Sequence, residues 1–417
     1  MTTSDARNAL KDAFRDLNNA LQGHIEYNSR DPLPLLQELE EGHSSLSEPI
    51  NGTIDVNHEP VEEVFERTTS WDEVYGVDGS VTRALQFGSG LTICASVAKT
   101  AGSGKHSTKD VEKGGDISVM VYVEDEDFVL DIEERSVDGI RCSFSQFPYG
   151  NFKDTNLSEW IEQLVRTQTE SEQVKEVSRQ QKTPVFRDGA IYPTRLISWT
   201  IDAQVPPNKR PVQPGKLWSS KVTEIMENFI TCVDSQLQDN MPYVGIVKTP
   251  GSSHTIDSIK QVVDYDVPYG GDRRLFSDAL ERPESTPDKK IISYTSWIQH
   301  KEYMRRKSRQ TLFDGHPDIE LKNGDPIDYM PAVFYVRPPG KNYVLRAEVP
   351  RLLVGDSKEE RQKQQGAILR EISKSRREPK VIQRADKLVK IRRQEENYLK
   401  NLISDNYQGT VNEEREP

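Results

Sequence analysis

The chain has 417 residues, enough for one large or two ordinary domains with a sizeable core. Its formal net charge of -12, from 67 acidic and 55 basic side chains, excludes a uniformly basic nucleic-acid coat but not a local basic patch. Cys94, Cys142 and Cys232 lie far apart without metal-ligand spacing, the start at Met1 is not basic-then-apolar, and nowhere do about 18 apolar residues run together; these features read as a protein of the reducing cytoplasm, with no disulfide framework, zinc site or membrane span.

In chain order, Ser4 to Gln22 carries Leu10, Phe14, Leu17 and Leu21 at helical spacing, with Ser4 as N-cap. This amphipathic helix docks either onto its own domain or onto another protein. From Arg30 to Pro60 the composition is rich in Pro, Ser, Gly, Asn and Glu and reads as a connector, with one short helical piece at Leu35 to Leu39. Residues 1–60 are thus expected to form an N-terminal helix and connector, a possible partner-docking element.

Glu73-Val-Tyr-Gly-Val-Asp-Gly-Ser80 is a short apolar strand pattern ending in a carboxylate and a glycine. A strand end fixes the direction of Asp78, and small residues after it leave open space that suits a hard divalent cation. The competing reading is a hairpin turn at Asp-Gly, which is the stronger one for this stretch alone. Pro184-Val-Phe-Arg-Asp-Gly-Ala-Ile191 repeats the pattern and puts Asp188 at the end of another strand. The two carboxylates can share one metal only if their strands are neighbours.

Leu91 to Val97 is a second strand and Ala101 to Gly115 a polar loop. Its Gly102-Ser-Gly-Lys105 lacks the glycine spacing of a phosphate-binding loop. Ile117 to Val123 alternates as a third strand, and Phe128 to Ile132 with Gly139 to Phe144 continue the sheet around a solvated acidic turn at Glu124 to Asp127. Leu157 to Gln180 is a helix by the recurrence of Leu157, Ile161, Leu164, Val165, Val174 and Val177. Leu217 to Leu237 is another, leading to the strand Tyr243 to Val247 and Lys248. Ala332 to Val336 and Tyr343 to Val349 are strands joined at Arg-Pro-Pro-Gly, and Lys358 to Lys400 is mostly helical with a break near Pro379. The order points to an α/β fold, a mixed sheet flanked by helices.

Val77-Asp-Gly-Ser80, Arg187-Asp-Gly-Ala190, Tyr243-Val-Gly-Ile-Val-Lys248 and the block from Tyr335 to Pro350, in that order, resemble the NurA nuclease domain. The resemblance runs from about Trp71 to Leu402. It implies an RNase H-like mixed sheet, with N-terminal and C-terminal helical segments, as a domain over residues 61–405; residues 406–417 form a tail expected to be disordered. It further implies carboxylates that bind Mn²⁺ or Mg²⁺ and hydrolyse DNA phosphodiesters, a HerA-like hexameric ATPase as partner, and a homodimer. The family's two strand aspartates fall on Asp78 and Asp188. Its helix glutamate is best matched by Glu170, with Glu172 and Glu176 as competitors and a solvated helix glutamate as the plain alternative. Lys248 would contact the scissile phosphate or orient a carboxylate. Arg346 and Glu348 match an Arg-x-Glu-x-Pro strand and, sharing a face, are expected to pair with each other.

At its end the chain departs from the pattern. Where the family carries tyrosine and histidine, Glu378 and Asp386 stand, within a frame of Pro379, Ala385, Leu388 and Ile391. Aspartate ligates a hard cation but is a poor hydrogen-bond donor to phosphate at neutral pH. An altered but live site and a non-catalytic scaffold are both open, and the former predicts that Glu378 and Asp386 approach the metal. The same segment is basic; Arg376, Arg377, Lys380 and Arg384 are candidates to track phosphates, against the plainer reading of a charged helix surface. The resemblance as a whole implies a metal-dependent deoxyribonuclease acting on DNA ends, with Asp78, Glu170, Asp188, Lys248, Glu378 and Asp386 as catalytic residues and Asp78, Glu170, Asp188 and Asp386 as ligands. An RNA-directed nuclease is a weaker third reading.

Overall fold

The structure, a computed structural model, describes residues 11, 13–16, 31–39, 44–68, 71–104, 114–149, 154–180, 182–194, 196, 216–282, 288–301, 303–305, 308–310, 313, 319–390 and 401. The N-terminal amphipathic helix falls almost wholly outside them; of its four apolar positions only Phe14 is described, and it is exposed. Residues 105–113 of the polar loop, Ile391 and the C-terminal tail lie outside as well.

The sheet is organised on β1, Glu73–Val81, a nine-residue strand buried from Val74 to Gly79. Such continuous burial marks a central strand covered on both faces. Asp78 is therefore interior to its strand rather than at a strand end, and Asp78-Gly79 is no turn. Beside β1 runs β2, Leu91–Gly104, antiparallel to it, followed by β3, Gly115–Val123, antiparallel to β2. The expected loop from Ala101 is thus strand to Gly104, because it pairs along the whole length of β1. On the other flank lie β4, Val185–Asp188, and β5, Tyr243–Val247, both parallel to β1. The order β3-β2-β1-β4-β5 with only β2 reversed is the RNase H-like arrangement, and two antiparallel strands extend it: β6, Pro331–Arg337, and β7, Leu345–Pro350. Beyond β3 the sheet gains Ile140–Gln146 and the exposed Arg135–Val137, while Phe128 to Ile132, expected as strand, forms none.

The segment expected as a connector carries a helix, Pro32–Gln37, and two strands. Ser47–Pro49 pairs with Ile298–His300 and Val56–Pro60 with Ile291–Thr295, partners so distant in sequence that no local pattern reveals them.

Helices cover both faces. α1, Asp154–Gln180, and α2, Lys216–Asp239, pack together, with α1 against β1, β2 and β3. Leu157, Ile161, Leu164, Val165, Val174 and Val177 are all buried, as their spacing predicts. α3, His254–Val262, and α4, Asp272–Ala279, build a second apolar cluster with Tyr335 and Val333 of β6. On the opposite side α5, Lys358–Ser375, turns at Arg376 (φ 54°) into α6, Lys380–Val389, which lies across β1 and β2. Among the described residues no helix is long and apolar enough to cross a membrane.

Gly76 makes that last contact possible: a Cβ there would sit 2.5 Å from the backbone carbon of Val381 on α6. Gly76→Val is expected to lower stability by about 1–3 kcal/mol through overpacking against backbone that cannot yield. It should also weaken divalent-cation binding, since α6 carries Asp386; a denaturant midpoint and a Mn²⁺ titration read the two effects.

Candidate active site

Register brings the carboxylates together. Val77 pairs with Arg187 and Ile246 with Asp188, so Asp78 and Asp188 follow one another across two adjacent parallel strands, as a shared cation requires. α6 adds Asp386: its buried face, Val381, Ile382, Ala385 and Val389, rests on the sheet, and Asp386 follows Ala385 at the exposed edge. Asp78, Asp188 and Asp386 each bring one carboxylate oxygen within 4.8 Å of the others, a group of three ranging from buried to exposed.

After Asp188 the chain doubles back over β5. Gly189 takes φ 112°, and Gly245 leaves room for the turn, since a Cβ there would meet Gly189 O and Ile191 N at 2.7 Å. The turn is pinned: Arg187 donates to Ala190 O, Tyr243 donates its hydroxyl to Ile191 O (3.1 Å), and Ile191 N donates to Glu348 Oε2 (2.9 Å). Arg346 pairs with Glu348 at 2.5 Å, as their shared face predicts.

Glu170 is 2% exposed, so the solvated reading is overturned; the α1 segment around it buries polar side chains where the apolar stripe is interrupted. It packs over Gly79, whose Cβ would lie 2.5 Å from Glu170 Cγ, and this close approach is why glycine follows Asp78. Its carboxylate is gripped by two guanidiniums, Arg166 Nε at 2.8 Å and Arg187 Nη2 at 2.6 Å. Glu170 lies outside the group of three, as do Glu172, hydrogen-bonded by Gln168, and Glu176, hydrogen-bonded by Gln180. Glu170 is thus held by two arginines, and Asp386 stands in the group of three.

Two cations flank the cluster. Lys248 Nζ donates to Asp188 Oδ2 at 2.5 Å, the carboxylate-orienting alternative, and lies 4.0 Å from Glu378 Oε1. Glu378 is buried and pairs with Arg377 at 3.3 Å. Arg166 Nη2 lies 3.6 Å from Asp78 Oδ1. Arg166 and Arg187 received no role from the sequence; the i,i+4 spacing of Arg166 to Glu170 was the available signal. Arg376, Arg377, Lys380 and Arg384 are exposed on the segment that presents Glu378 and Asp386, and Arg384 also donates to Gly102 O on β2 (2.5 Å).

The electrostatics suit a cation. Burial, then the neighbouring Asp188 and Glu170 charges, push the Asp78 carboxyl up to about 7, against the pull of Arg166 and of Gly79 N. Burial also raises Asp188, opposed by Lys248. Crowded carboxylates in a half-buried site repel one another until positive charge arrives. Three oxygen donors with one exposed side fit a hard divalent ion that keeps positions for water or phosphate.

A family model described as the NurA domain matches residues 72–391. Among solved structures, the chain is similar to the NurA nuclease from Sulfolobus solfataricus, with 13% identity, 97% of each chain covered and a TM-score of 0.48. It is also similar to NurA with manganese (13% identity, 83% of this chain and 93% of that one, TM-score 0.42) and to NurA bound to dAMP and manganese (12%, 83% and 92%, 0.43). No curated protein matches.

Proposed function

The chain belongs to the NurA family, and from that premise we propose a divalent-metal-dependent nuclease that hydrolyses DNA phosphodiesters, cutting from DNA ends as a homodimer in concert with a HerA-like hexameric ATPase. DNA repair and defence against foreign DNA are both processes that such an activity serves. The observation that carries the catalytic reading is the carboxylate triad of Asp78, Asp188 and Asp386. A scaffold that had lost its chemistry would leave Glu378 and Asp386 as ordinary surface charges. Instead Asp386 joins the two strand aspartates, and Glu378 is buried beside Lys248.

In this reading Asp78, Asp188 and Asp386 hold Mn²⁺ or Mg²⁺. The bound cation supplies neutralisation of phosphate charge and acidifies the attacking water. Lys248 holds the Asp188 carboxylate in place, and Arg187 with Glu348 fixes the turn behind it. Arg376, Arg377, Lys380 and Arg384 offer a phosphate-tracking surface whose contribution falls with salt. The test is cleavage of linear single- and double-stranded DNA by the purified protein with Mn²⁺, Mg²⁺ or EDTA, with and without a HerA-like ATPase. Metal-dependent products support the reading; DNA or ATPase binding without cleavage under every condition leaves the scaffold.

Metal and pH should be linked through Asp78. Its folded value, about 7, exceeds its ordinary 3.8, so without metal this group contributes stability that is full below 3.8 and lost as pH rises through 7. A divalent cation needs the ionised form, so the rise in melting temperature on adding Mn²⁺ should grow from pH 5.5 to pH 8. Asp78→Asn should flatten that growth, and a wild-type shift independent of pH would count against the assignment.

A further inference from the structure

We propose that Arg166 is a second phosphate-contacting cation at the mouth of this site, taking a phosphodiester oxygen once a divalent ion has replaced it beside Asp78; this rests on the nuclease reading above. Arg166 is held in place by its Nε bond to Glu170 Oε1 (2.8 Å) but is not consumed by it, for Glu170 Oε2 is already taken by Arg187. Its Nη2 reaches toward the cluster, 3.6 Å from Asp78 Oδ1, and the side chain keeps 40% of its surface exposed. An i,i+4 helix pair needs no contact beyond its own partner. This one also reaches Asp78, whereas Lys248 is bonded to Asp188. Arg187 cannot share the role: its side chain is 8% exposed, and its two terminal nitrogens are directed to Ala190 O and Glu170.

The charge inventory gives Arg166 a task. Glu170 is matched by Arg187, and Glu378 by Arg377. Three aspartates outweigh one divalent ion by a single charge, and Lys248 offsets that charge. With its charges balanced, the site draws a phosphodiester anion only through the ion's open positions; Arg166 makes the mouth net positive. A planar guanidinium with free N–H groups beside the metal position presents the paired donors that phosphate oxygens accept.

The full-length protein and its Arg166→Ala, Arg166→Gln and Arg166→Lys variants should be compared in three measurements: Mn²⁺ binding by calorimetry, binding of a labelled oligothymidylate in Ca²⁺ across a salt series, and cleavage in Mn²⁺. With Arg166→Ala, Mn²⁺ affinity should hold or rise, because a cation that competes for Asp78 is gone. Oligonucleotide affinity should fall about tenfold and its logarithmic salt slope should shrink by about one contact, while Arg166→Lys keeps the slope. Cleavage should fall about 10²-fold. Arg166→Gln, which retains a hydrogen bond to Glu170, serves if the alanine variant does not fold. Weakened Mn²⁺ binding or a lowered unfolding midpoint with an unchanged salt slope would overturn the proposal and make Arg166 a positioning residue for Asp78 and Glu170. A wild-type protein that binds oligonucleotide but cuts nothing counts against the nuclease reading, and the salt slope still decides this one.

Discussion

Asp78→Ala should lower metal-dependent DNA cleavage by at least about 10³-fold while the protein stays folded, because the site loses the ligand on its central strand. On the proposed reading the loss should be as large for Asp188→Ala, since its carboxylate on the adjacent strand lies within 4.8 Å of that of Asp78 and neither alone would fix an ion's position. Stability should move the other way without metal. Asp78 sits where burial and two neighbouring carboxylates oppose its ionised form, so removing it relieves repulsion at pH 8. Circular dichroism and a melting curve in EDTA, run beside the cleavage assay, check both parts. If Asp78→Ala retains half of the wild-type activity, the metal lies elsewhere. If the variant loses its fold, Asp78→Asn at the same volume separates chemistry from packing.

Arg187→Ala should be the most destabilising single change near the site, by about 3–5 kcal/mol, because it strands the buried Glu170 carboxylate with one partner where it had two. Arg187 also donates to Ala190 O and lies 4.8 Å over the Phe229 ring, so the change removes a turn contact and leaves a cavity. The double variant Arg187→Met with Glu170→Leu should recover a large part of the loss, because apolar replacement of both partners leaves no lone buried charge. Urea unfolding midpoints of Arg187→Ala, of the single variants Arg187→Met and Glu170→Leu, and of the double one measure this. A double variant no more stable than Arg187→Ala would mean that packing, not charge, sets the cost. Arg187→Ala should also reduce Mn²⁺ affinity, since the turn that follows Asp188 is pinned through Arg187.

The blocks that carry the family resemblance held because each is a local pattern with a local cause. Two apolar strands each bearing Asp-Gly, a long helix before the second one, and Gly-Ile-Val-Lys at a strand end were all readable, and each occupies the expected element. The readings that failed depended on distance. Asp78 looked like a strand end because sequence shows the glycine after it but not Glu170 resting on that glycine; the strand pairs on to Val81, and only the packed helix explains why a side chain is excluded at Gly79. Arg30 to Pro60 looked like a connector because its two strands find their partners beyond residue 290.

The sequence by itself determined the family, the α/β class, the two strand aspartates and the departure at Glu378 and Asp386, since residue type and spacing suffice for these. Tertiary structure alone decided which carboxylates meet. Glu170 and Asp386 were both nominated as ligands; the fold holds Glu170 between two arginines and, on a helix resting on Gly76, brings Asp386 within 4.8 Å of the two strand aspartates. The reason is reach: a carboxylate's partners are whatever charges lie within a few ångströms, and at this site those charges come from β1, α1, β4, β5 and α6, which are brought together only by the sheet order and the close approach that two glycines permit.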